Sequence, residues 1–185
     1  GLTDVTVNYV YGGQFFGDAD ITAVMDTWYA GGTEVVFACG GGIYTSAVDA
    51  AKKANAKVIG VDVDQAGVIA GYAGVEGMTV TSAMKGLYPT TYDTLTDVIV
   101  NGNWDKYVGK IATLGLVSGT DPEANYVQIP MGDGTQWSDS FTQDDYKAMV
   151  ADMYSGKITV SNDTTKAASD FATVITVDDQ GSIKG

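Results

Sequence analysis

The chain has 185 residues, which suits one domain or one large domain with an appendage, and its hydrophobic share of 45% is enough for a sizeable core without covalent staples. Ten Lys plus Arg against 23 Asp plus Glu give a net charge of −13, which speaks against nucleic-acid or anionic-membrane binding, since both need a basic patch. One cysteine and no histidine exclude a disulfide framework, zinc clusters and Ser-His or Cys-His catalysis, while leaving acid–base chemistry by Asp and Glu open. In chain order, Val5 to Tyr11 is β-branched and aromatic, stops at Gly12-Gly13, and reads as a strand. Asp18 or Asp20 is placed to cap a helix from about Ile21 to Tyr29, with Ile21, Val24, Met25 and Trp28 as its buried stripe and Gly31-Gly32 as its end. Glu34 to Cys39 is apolar without alternation, the pattern of a strand covered on both faces. After Gly40-Gly41-Gly42 a helix is expected from about Thr45 to Asn55, and Lys57 to Val61 follows as a third strand that ends at Asp62-Val63-Asp64-Gln65.

Met78 to Ala83 reads as a further strand, and a long helix from about Leu87 to Asn101 presents Leu95, Val98 and Ile99 on one side. Lys110 to Leu116 is a strand candidate, Gly119 to Pro122 a turn, and Tyr126 to Pro130 an extended segment. Thr142 is a sound N-cap, followed by acids in the first turn, for a helix running to about Tyr154 and stopping at Gly156. Ala172 to Val177 reads as the last strand. Strands alternating with helices predict an α/β fold: a Rossmann-like, mainly parallel sheet with flanking helices. Residues 1–85 form the expected core of this fold, and 86–185 its remainder.

In an open parallel sheet, ligands sit beyond the carboxyl ends of the strands. Those ends carry Gly12-Gly13-Gln14-Phe15-Phe16-Gly17-Asp18, then Gly40-Gly41-Gly42, then Asp62-Val63-Asp64-Gln65, with Lys85 before the long helix. This set offers an aromatic face, bare backbone amides, carboxylates and a cation, which suits a stacked ring and a held diol. Each piece also has a plainer reading. The glycines serve a tight strand-to-helix turn, and they lack the G-x-G-x-x-G spacing of a dinucleotide cradle. One of Phe15 and Phe16 is expected in the core. Asp62 and Asp64 also fit a solvated loop pair or half of a cation site, and Lys85 fits a surface residue. Cys39 is expected to be a small buried apolar residue, because nothing basic is placed to activate it.

The runs Val35 to Gly42, Ala50 to Lys53, Val58 to Gln65 and Thr81 to Lys85 resemble the basic membrane protein family, the PnrA-like substrate-binding lipoproteins of ABC importers. The Gly-Val-Asp-x-Asp-Gln run and the Thr-Ser-Ala-x-Lys run are fairly specific in combination, and the resemblance extends from Tyr9 to about Gly119. It implies one lobe of a type I periplasmic-binding-protein fold, with a nucleoside, purine in type, held between lobes. It further implies an ABC permease as partner, no enzymatic activity, no cofactor and no metal. The implied ligand-binding residues are Phe16 and Asp18 in a Phe-x-Asp motif, Gly41 or Gly42, Asp62 or Asp64 on the ribose with Asp62 favoured, and Lys85. Family members are nearly twice as long, so the chain is expected to be the second half of a protein that begins with a signal peptide and a lipid-modified cysteine. Such a protein would be anchored at the extracellular face of the membrane or in the periplasm. The competing expectations are a Rossmann-like enzyme domain that uses Asp62 or Asp64 on a nucleotide ribose, and a ligand-sensing domain.

Overall fold

The computed structural model describes residues 4–172 and 174–184, and these divide into two compact units. The first comprises residues 1–59, 68–78 and 161–185; the second comprises 60–67 and 79–160.

In the first unit, strand β1 (Thr6–Tyr11) pairs in parallel with β6 (Thr176–Ser182) in a two-stranded sheet. Helix α1 (Ala19–Ala30) follows, then β2 (Val35–Phe37) and α2 (Tyr44–Ala54). Strand β3 (Lys57–Asp62) lies parallel to β2, with Val36 opposite Val58. Helix α3 (Ala66–Ala73) contributes its later turns. The core gathers one face of each element: Ile21, Met25 and Tyr29 from α1, Val48 and Ala51 from α2, Val36, Val58 and Ile69. Successive α1 members are four residues apart, which is the helical period put to use. Asn55, in the left-handed conformation at φ 52°, ends α2 where glycine is more usual.

The second unit holds the end of β3, strand β4 (Thr79–Lys85), helix α4 (Leu87–Leu95), β5 (Val127–Gln128) and α5 (Gln143–Tyr154). Strands β4 and β5 are antiparallel, with Met84 opposite Gln128. Thr142 and Asp145 form a complete capping box on α5: the Thr142 hydroxyl accepts from Asp145 N, and the Asp145 carboxylate accepts from Thr142 N at 2.8 Å. Tyr146 and Val150, one turn apart, bury its apolar side.

The architecture is mixed α/β with mainly parallel strands, as expected, and several elements differ in detail. Helix α3 is not apparent in the sequence. Tyr29, rather than Trp28, completes the buried stripe of α1; the Trp28 ring is half-buried and its Nε1 donates to Gln180 Oε1 at 2.8 Å. Strand β2 is only three residues long, and Val35 and Phe37 are exposed while Val36 is buried, so one face is covered rather than two. Helix α4 passes into a π-helical turn at Thr96–Val100, and Leu95 and Ile99 are exposed. Lys110 to Leu116 forms no strand. It joins no ladder; its backbone hydrogen bonds include one from Lys110 N to Tyr107 O and one from Tyr126 N to Gly115 O, both at 3.1 Å. The expected last strand began at Ala172; Thr173 lies outside the described residues, and β6 begins at Thr176.

Truncation of Ile69, which is fully buried, creates a cavity in the first unit, so Ile69→Ala should lower unfolding free energy by about 2–5 kcal/mol in urea titration. Ile111→Ala, at a fully exposed position, should stay within about 0.5 kcal/mol of the parent.

Candidate functional site

The expected ligand-binding residues fall into two groups, one in each unit. In the first unit, Phe16, Asp18, Gly41 and Gly42 lie on two facing loops. Gly42 N donates to Phe15 O at 2.8 Å, and Phe16 forms an isolated parallel bridge with Gly42. Gly41 takes φ +47°, a conformation that side chains disfavour, and a Cβ on Gly42 would stand 3.2 Å from Phe15 O. The glycines therefore act as a close-packed turn against the β1–α1 loop. Phe15 and Phe16 are 78% and 63% exposed, so neither is a core residue; the expectation that one would be buried does not hold. The loop is fixed through its backbone, which leaves both rings outside. Cys39 is exposed as well, contrary to expectation, because β2 has ended and the chain turns through hydrogen bonds from Cys39 N to Phe37 O and from Gly40 N to Ala38 O.

Asp18 is the N-cap of α1, accepting from Ile21 N at 3.0 Å. Its other carboxylate oxygen accepts from Gln14 Nε2 at 2.8 Å and from Lys184 Nζ. The same Gln14 amide donates to Phe16 O at 2.8 Å, so one side chain ties Asp18 to the loop that presents Phe16. Ser46 Oγ accepts from Asp18 N at 2.9 Å and donates to Asp18 O at 3.0 Å, fastening the loop to the start of α2. The Asp18 carboxylate thus takes part in holding the loop. Ser46 and Lys184 are functional candidates absent from the sequence reading, and Gln14 lies in the strand-end run without a role assigned to it there. A polar residue two positions before Phe16 is a visible signal for Gln14; Lys184 lies 166 residues from its partner and gives none.

In the second unit, Asp62 and Lys85 meet. Asp62 Oδ1 lies 2.6 Å from Lys85 Nζ, with the side chains 37% and 67% exposed. Asp62 adopts φ 71°, rare for a residue with a Cβ, at the carboxyl end of β3. A buried polar pair beneath it holds this bend: Gln65 Oε1 accepts from Val61 N at 2.9 Å, and Ser82 Oγ accepts from Gln65 N at 3.1 Å. Gly60 is required here, since a Cβ would stand 2.6 Å from Ser82 Oγ and 2.9 Å from Gln65 Cβ. Asp64 is turned to another task, accepting from Ala66 N at 3.0 Å at the start of α3. Of the two aspartates, Asp62 is the one beside Lys85.

Lys85 also lines a cleft of about 520 Å³. Val63, Met84, Leu87, Tyr88 and Pro89 give it apolar walls, and Asp121, Glu123 and Gln128 give it polar ones. No group of three or more metal-ligating side chains occurs among the described residues, and none of their helices is long and apolar enough to cross a membrane.

Comparison with known proteins decides the family. The model of the Bmp family, described as ABC transporter substrate-binding protein PnrA-like, matches residues 3–129. The chain belongs to this family. No curated protein and no solved structure gives a significant match. Membership makes the chain a substrate-binding component of the ABC transporter type. That implies a small-molecule ligand, an ABC permease as partner, and work on the extracellular or periplasmic side of the membrane. The family is not an enzyme family.

The three donors on Asp18, with the Ile21 amide foremost and the Lys184 ammonium next, hold its pKa down from 3.8 to about 2. The stabilising effect is present above pH 3.8 and is lost as pH falls toward 2. Asp18→Asn, which keeps an acceptor for Ile21 N, should therefore flatten the fall in melting temperature across that window in thermal melts taken at stepwise pH.

Proposed function

We propose that this substrate-binding protein takes up a nucleoside, of purine type, with its ribose held by Asp62 and Lys85; Phe16, in the first unit, is a separate candidate for stacking on a base. The observation that carries the reading is the Asp62–Lys85 pair, 2.6 Å apart at the ends of β3 and β4, beside a cleft with apolar walls. A carboxylate accepts from vicinal hydroxyls and an ammonium donates to them, so a cis-diol satisfies both groups where a lone hydroxyl does not. Phe16, exposed on a loop braced by Gln14 and Asp18, offers a flat face of the kind a base stacks on. Residues 1–85 carry the binding core in this reading, and 86–185 complete the lobe. The ligand is held against a second lobe in the family's manner, and a lipid anchor keeps the protein at the outer face of the membrane.

Calorimetric titration with guanosine and 2′-deoxyguanosine tests the sugar contact. The missing hydroxyl removes a hydrogen bond to a charged group, worth about 1.5–3 kcal/mol, so guanosine should bind at least about tenfold more tightly. Asp62→Ala and Lys85→Ala should each remove much of that preference. Equal affinities, or a preference that survives both substitutions, would sink the ribose assignment.

The base contact is tested separately. Stacking on an aromatic ring is worth about 1–3 kcal/mol per base, so Phe16→Ala should weaken guanosine binding by roughly tenfold or more, with Phe15→Ala well behind it. The reverse order in the same titration would move the base to Phe15.

A further inference from the structure

We infer that Asp121 and Glu123 make the Lys85 cleft selective against phosphorylated ligands, so that it accepts a nucleoside and rejects the corresponding nucleotide. This rests on the nucleoside reading and concerns the same cleft. The charges that line it are one cation, Lys85, and two carboxylates, Asp121 and Glu123. Lys85 is not a free cation: its ammonium is matched by Asp62 at 2.6 Å. No ion pair is formed by Asp121 or Glu123 among the described residues, so the cleft carries an uncompensated negative charge. A phosphate monoester brings about −1.5 to −2 more at neutral pH. Like charges brought together in a partly enclosed site repel more strongly than in open water.

The backbone that carries the two carboxylates is held in place. Asn125, fully buried, accepts from Val117 N at 2.7 Å and from Ser118 N at 2.8 Å, and donates to Ser118 O at 3.0 Å. Ser118 Oγ then accepts from Asp121 N at 2.9 Å, and Asp121 Oδ1 caps Glu123 N at 3.1 Å. A backbone so tied keeps the two acids at the wall of the cleft. The arrangement is opposite to a phosphate site, which gathers bare amides and unpaired cations. A neutral ribonucleoside has no charge to repel and meets the diol-binding pair directly.

The test compares guanosine with guanosine 5′-monophosphate by calorimetry on the full chain. The Kd for the monophosphate should exceed that for guanosine by at least about tenfold in about 50 mM NaCl. Raising NaCl to about 500 mM should narrow the ratio, because the effect is a screened repulsion. Glu123→Gln should narrow it partly, and Asp121→Asn with Glu123→Gln should bring it within about threefold; Asn at 121 keeps the cap acceptor, and the single variant serves if the double variant fails to fold. Equal binding of the two ligands, or a ratio indifferent to salt and to both variants, overturns the inference while leaving the nucleoside reading intact. Failure to bind guanosine at all overturns that reading and this inference with it.

Discussion

The second unit depends on a small buried knot of hydrogen bonds at the end of β3. Gln65 reaches back to Val61 N with its side-chain oxygen and gives its own backbone N–H to Ser82. Both polar side chains are buried, so each would carry a desolvation cost if left unpaired, and the geometry is correspondingly fixed. The turn this creates pushes Asp62 into a left-handed conformation and aims its carboxylate at Lys85, three residues beyond Ser82 on β4. Only glycine fits at position 60, beneath the knot. Gln65 and Ser82 touch no ligand in the proposed reading, yet they are what makes Asp62 and Lys85 neighbours.

The first unit solves a similar problem with different parts. A loop of small and aromatic residues must stay ordered although its rings are exposed. It is held from three directions: from α1 through the Asp18 cap, from α2 through Ser46, and from the C-terminal segment through Lys184. Ile183 N donates to Tyr11 O at 3.0 Å, so the last residues run alongside the exit of β1. The bonds to Asp18 are charge-assisted, which is the stronger class. The consequence is that the carboxylate serves the loop, and the aromatic it supports is what faces outward.

Much of this was legible in the sequence where the signal is local. The Thr142 cap with acids after it, the period of α1, the alanine-rich face of α2 and the β-branched run of β3 each carry their own evidence, and each appears near its expected place. Helix α3 was not legible: Gly67 and Gly71 interrupt it, and its residues are apolar on most sides, so no stripe stands out. Lys110 to Leu116 shows the opposite failure. Its composition favours a strand, but strand preference is realised only against a neighbour, and the segment has no ladder partner. For the candidate site, the motif spacing brought attention to Asp62 and Lys85, 23 positions apart, while only the fold shows them in contact. The engagement of Asp18 by Lys184 depends on chain ends meeting, which no local pattern records.

One exposed atom lends itself to a use outside ligand chemistry. Cys39 is the only cysteine in the chain and stands in solvent immediately before Gly40-Gly41-Gly42. A maleimide fluorophore would therefore attach at one defined position, on the rim of the turn that packs against Phe15 and Phe16. Emission from such a probe would follow the polarity around that turn in real time, from a single-label protein without any engineered residue.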